Sequence, residues 1–158
     1  MSTWRSTTTG LLIAGVVIVV AASAVSFGLL NFVPTTEVRL RSAVFAVTLA
    51  QDEISQEKGL SGVSALKPNG GLLMVFDTDD TWGIWMKDMK VPIDILWLDS
   101  AKSVVYTVKN ASPELGTTKK FRPGTPARYV LEIPAGSVTR YGIKTGDKAE
   151  FTITKENT

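Results

Sequence analysis

The chain reads as a mainly β, α+β protein: a compact, barrel-like β domain with two short helices, preceded by one N-terminal transmembrane helix. Short apolar runs of period two, separated by turn residues, recur from Val38 to the C-terminus. Only two short stretches carry helix signals, with no β-α-β alternation between them, which favours an α+β or barrel-like sheet. An uncharged apolar run lies near the N-terminus.

That run defines the domain plan. Residues 1–9 form a short tail, and residues 10–33 read GLLIAGVVIVVAASAVSFGLLNFV with no charged side chain. As a helix they would rise about 36 Å, enough for a hydrocarbon core of about 30 Å. Ala22, Ser23 and Ala24 offer an A-x-A cleavage alternative, but the apolar run continues to Val33, so an uncleaved single-pass anchor is expected. Arg5 before the span and Arg39 and Arg41 after it leave the charge count balanced; a long C-terminal domain translocates largely regardless of its charge. The domain is therefore expected to be extracytoplasmic on the cell membrane. Residues 34–36 are a linker and 37–158 the domain.

Along the domain, Val38 and Leu40 alternate with Arg39 and Arg41, and Phe45, Val47 and Leu49 resume on a shifted phase. Two strands, or one with a bulge at Ser42-Ala43, follow from that shift. Asp52 can cap a short helix that Gly59 ends. Lys67 to Gly71 is a loop, Leu72 to Phe76 a strand buried on both faces, and Asp77 to Asp80 a solvated acidic turn. Ser103 to Val108 is a strand, and the sequon Asn110-Ala111-Ser112 leads into a long turn-rich connection from Pro113 to Pro126. ARYVLEI is a strand, Ala135 to Tyr141 a short helix, and Asp147 to Thr154 a last strand.

Composition excludes whole classes of chemistry. The chain has no Cys and no His, so thiol nucleophiles, Ser-His-Asp triads and ordinary zinc sites are absent. No metal or other cofactor is expected. From Glu37 onward 16 basic residues face 15 acidic ones, a net charge of +1 that gives no footprint for nucleic acid. Lys119, Lys120 and Arg122 read as a solvated loop.

The densest stretch is TWGIWMKDMKVPIDILWLD, Thr81 to Asp99, with three of the four tryptophans. Period-two alternation predicts two strands joined by Lys87 to Pro92, with Trp85 and Trp97 in the core. Asp94, flanked by apolar residues, needs a partner to be buried, such as backbone N–H groups, Lys87 or Arg128.

The blocks GLSGVSAL, GLLMVF, WMKDMKVPIDILWLD and ARYVLEIPAGSVTRYGIKTGDKAEF, in that order, resemble the DUF192 (UPF0127) family of small domains of unknown function. The resemblance covers Leu49 to Phe151 and implies a compact β-rich domain, often behind a signal peptide or anchor. Its signature falls on Gly59, Leu60, Trp85, Met86, Lys87, Asp88, Pro92, Asp94, Arg128, Tyr129, Glu132, Gly136, Gly142 and Gly146. Many members read GLM followed by Arg, where this chain has Gly59-Leu60-Ser61-Gly62.

The expected function is a non-enzymatic, membrane-held binding module for an envelope saccharide or peptide. Its candidate ligand residues are Trp82, Trp85, Lys87, Asp88, Asp94, Arg128 and Glu132, since aromatic platforms beside polar groups suit such ligands. The alternatives are an envelope interaction protein without a small ligand, and a hydrolase using Asp88 and Asp94 as a carboxylate pair.

Overall fold

The computed structural model describes residues 35–153. The predicted span at residues 10–33 lies outside them; among the described residues no helix is long and apolar enough to cross a membrane. The strands are β1 (Thr36–Leu40), β2 (Ala43–Ala50), β3 (Gly70–Asp80), β4 (Ile84–Trp85), β5 (Ile93–Leu98), β6 (Val104–Ala111), β7 (Lys120–Phe121), β8 (Ala127–Pro134) and β9 (Ala149–Glu150). The helices are α1 (Glu53–Lys58) and α2 (Ser137–Arg140), with a 3-10 turn at Pro113–Leu115. The fold is mainly β with two short α-helices, as the patterning requires.

Seven strands form one sheet in the order β6-β5-β8-β3-β2-β1-β9, and β4 pairs with β7 separately. The sheet curls until its outer edges meet at one bridge, Ser103 to Lys148, beside a hydrogen bond from the Val104 N–H to the Asp147 carbonyl. Arg41 and Ser42 make the tight turn between β1 and β2, with Arg41 at a φ of 56°. The phase shift seen in the sequence is therefore a hairpin.

Three expectations are corrected. β2 and β3 are parallel, with α1 in the connection, so one β-α-β crossover exists. Six residues of helix are too short to give a 3.6-residue pattern, and α1 buries none of its side chains, which is why the crossover was illegible. Asp77 to Asp80 is the end of β3, where Asp80 pairs with Ala127 of β8 and Asp79 accepts from the Arg128 guanidinium. The last strand is confined to Ala149–Glu150.

Two cores flank the sheet. Val38, Phe45, Leu73, Leu96, Leu131, Val104, Val138 and Phe151 form one cluster, and since it unites both sheet edges it fills the inside of the curl. Leu72, Met74, Ile93, Ile95, Trp97 and Val130 lie on the opposite face under Leu60, Ile84, Met86 and Phe121. Every residue of β5 is buried for this reason. Gly71 lets β3 approach β8 closely, because a Cβ there would sit 2.3 Å from the Glu132 carbonyl oxygen.

Candidate functional site

The outer face is covered by short segments rather than by a layer, and they leave a cleft of about 350 Å³. α1 and the Gly59–Ser61 turn form one wall, the Trp82–Trp85 segment and Lys120 form the other, and Met74, Phe76 and Glu132 come from the sheet beneath. The walls are held by specific bonds. Asp52 caps α1, accepting from the Ser55 N–H at 2.9 Å, and that bonding lowers its carboxyl pKa, the Ser55 hydroxyl contributing most. The Gln56 amide donates to the Val75 carbonyl at 2.7 Å and ties α1 to β3.

The Trp97 indole is fully buried and donates to the Trp82 carbonyl at 2.8 Å, so the core tryptophan places the cleft tryptophan. Trp82 stacks on Phe76 with centroids 4.1 Å apart and planes 8° from parallel. Trp85 is half-buried, with the ammonium groups of Lys120 and Lys87 at 4.8 and 5.5 Å from its ring centroid. Both positions are within cation–π range.

Glu132 sits on the sheet in this cleft. β8 turns Leu131 and Ile133 into the inner core, so Val130 and Glu132 face outward, Glu132 between Leu72 of β3 and Ile95 of β5. Glu132 is 3 % exposed, and its Oε2 is the buried side-chain oxygen that lacks a hydrogen-bond partner among the described residues. Desolvation pushes its carboxyl up to about 7. Gly59 opens the space above it: at a φ of 50°, a Cβ there would lie 3.3 Å from Met74 Cε and 3.8 Å from Glu132 Oε2.

Of the seven candidates, Trp82, Trp85 and Glu132 line this cleft, and Lys87 touches its edge through Trp85. The other three are placed elsewhere. Asp94 is fully buried, its Oδ1 accepting from the Asn110 N–H at 2.8 Å and its Oδ2 from the Val138 N–H at 2.7 Å. Those backbone groups, rather than Lys87 or Arg128, are its partners. Asp88 is exposed on the connection, with a φ of 56°, so no carboxylate pair shared with the enclosed Asp94 faces a substrate. Arg128 pairs with Asp79 instead of with Glu132 or Asp94.

Sequence reasoning missed Gly59, Met74, Phe76, Met89 and Lys120 as lining residues. Lys120 and Arg122 are exposed, as expected, but they are not a free loop: Lys120 lies in β7 against Trp85, and the Arg122 guanidinium donates to the Thr81 carbonyl at 2.9 Å. A basic pair flanking the lone Phe121 was the available signal. The Ser61 hydroxyl donates to the Lys87 carbonyl at 2.8 Å and the Gly62 N–H to the Asp88 carbonyl at 2.9 Å. Two sequence blocks distant in the chain thus meet at the rim.

These are the blocks that carried the family resemblance, and the DUF192 family model, described as an uncharacterized ACR, matches residues 35–151. The chain belongs to this family. A UPF0127 protein of Thermococcus kodakarensis is 30 % identical over 113 residues, covering 70 % of this chain and 67 % of that protein. A UPF0127 protein of Thermococcus gammatolerans is 31 % identical over 115 residues, covering 70 % and 69 %. Among solved structures, a Sinorhizobium meliloti 1021 protein described as a candidate transcription regulator matches at a TM-score of 0.70 and 31 % identity, over 74 % of this chain and 93 % of that one. A protein of unknown function from Novosphingobium aromaticivorans matches at 0.68 and 30 %, over 72 % and 83 %. The chain thus shares its fold with these structures.

Proposed function

We propose that this DUF192 domain is a non-catalytic binding module, held outside the cytoplasm by the apolar segment at residues 10–33, whose cleft takes an envelope saccharide or peptide. The observation that carries the reading is the unpartnered Glu132 Oε2 at the base of an aromatic-lined cleft. Leaving a buried acceptor unmade costs free energy, and a ligand that supplies a donor recovers it. Phe76, Trp82 and Trp85 offer apolar surface for a sugar ring or side chain beside that acceptor. The cation–π contacts on Trp85 hold it as part of a preformed wall.

The test is a tryptophan fluorescence titration of the full chain in mild detergent. The panel is chitin and chitosan oligosaccharides with short basic and neutral peptides. At least one class should shift the emission saturably, and Trp85→Ala should weaken that binding about tenfold. A flat response to the whole panel overturns the reading.

A further inference from the structure

The cleft has a polarity that narrows its ligand, a step that rests on the binding reading of the same site. Its lining holds three carboxylates, Glu53, Glu57 and Glu132, against two ammonium groups, Lys58 and Lys120. α1 contributes Glu53, Glu57 and Lys58, β7 contributes Lys120, and the lining residues of β3 and β4, Met74, Phe76, Ile84 and Trp85, carry no charge. Neither ammonium forms an ion pair with Glu132: its Oε2 is unpartnered, and Lys120 Nζ stands over Trp85. The carboxylate at the base is therefore unopposed, below two more at the α1 wall.

We propose that the cleft recognises a protonated primary amine carried on an apolar body, the ammonium on Glu132 Oε2 and the body against Phe76, Trp82 and Met74. A hydroxyl could meet the same oxygen, but it would leave an ionised Glu132 without a countercharge in an apolar setting. An ammonium supplies hydrogen bond and countercharge together, and charge-assisted bonds are about twice as strong as neutral ones. The thioether of Met74 and the ring faces of Phe76 and Trp82 suit the methylenes or ring C–H groups beside such an amine. Amino sugars and lysine-type side chains share this chemistry.

Because burial holds the Glu132 carboxyl near 7, binding an ammonium should expel its proton. The experiment is isothermal titration calorimetry on the full chain in detergent at pH 6, where the Glu132 carboxyl and the probe amines are both mostly protonated before binding, in two buffers of different ionisation enthalpy. The probes are the glucosamine trimer and its N-acetylated counterpart, and the N-terminally acetylated peptide Ac-Ala-Lys-Ala and its Nε-acetyl form, which has no free amine. The expected result is that one free-amine probe binds at least tenfold more tightly than its acetylated partner and releases a fraction of a proton. Whichever pair discriminates identifies the source as saccharide or peptide. Glu132→Gln, which keeps size and removes charge, should abolish both the discrimination and the proton release.

Equal affinity for free and acetylated probes, or discrimination that survives in Glu132→Gln, overturns the amine assignment. If acetylated probes bind and Trp85→Ala removes that binding, the binding module stands and the amine assignment falls. If no probe binds, both fall. Proton release on the unmodified protein needs no variant to fold, so its absence upon amine binding overturns the proposal by itself.

Discussion

Asp94 and Glu132 are both buried carboxylates, on adjacent strands of one sheet and one register step apart, yet they have opposite fates. Ile95 pairs with Glu132 and Asp94 with Ile133, so the alternation sends the two side chains to opposite faces. Asp94 meets two backbone N–H groups, from Asn110 at the end of β6 and Val138 in α2, and becomes a brace between elements. Glu132 meets a cleft, and its Oε2 has no partner. A buried acid signals function when its lone pairs are unmet, and architecture when they are filled.

Breaking the brace should have the largest effect. Asp94→Ala leaves the Asn110 and Val138 N–H groups unpaired in the core and should cost on the order of 4 kcal/mol. Urea unfolding followed by circular dichroism would measure it. A loss below about 1 kcal/mol would mean that water fills the site and Asp94 is no brace.

Glu132 should behave in the reverse sense. Its folded pKa of about 7 lies above its ordinary 4.5, so the folded state binds more protons between those values and stability falls as pH rises through that window. Glu132→Gln should flatten this slope and, at pH 8, stabilise the protein by about 3 kcal/mol. Unfolding midpoints of both proteins at pH 5 and pH 8 decide it. A variant less stable than its parent at pH 8 would show that Glu132 is a structural partner like Asp94.

The smallest effect sharpens the comparison at the cleft wall. Lys120→Ala removes one cation from the Trp85 face, worth about 0.5 kcal/mol of stability. It should also change the tryptophan emission, whereas Lys119→Ala, whose ammonium faces Phe121, should leave that emission alone. Identical spectra for the two variants would place Lys120 away from Trp85.

The site was legible in part, for reasons that differ residue by residue. Alternation in ARYVLEI put Arg128 and Glu132 on one face, and the structure agrees, since Tyr129, Leu131 and Ile133 pack on the other. It could not say that Asp79, beyond the point where β3's regular pairing with β8 ends at Val75 and Tyr129, would claim Arg128. Nor could it separate Trp97 from Trp85. Trp97 lies in a strand with neighbours on both sides, while Trp85 lies in a two-residue ladder over the outer face. Sheet order decides that, and sheet order joins residues far apart in sequence.

By itself the sequence determined a mainly β domain, its two short helices and most of its strands, because period-two patterning and turn residues act locally. It also determined which chemistries are absent, since a chain without Cys or His cannot perform them. Tertiary structure decided the parallel β2–β3 crossover, the pairing of β4 with β7, and the partners of each buried charge. It alone left Glu132 unmet beneath Gly59 while filling both oxygens of Asp94. The physical reason is that solvation and hydrogen bonding of a side chain depend on what the fold brings next to it, which no local pattern records.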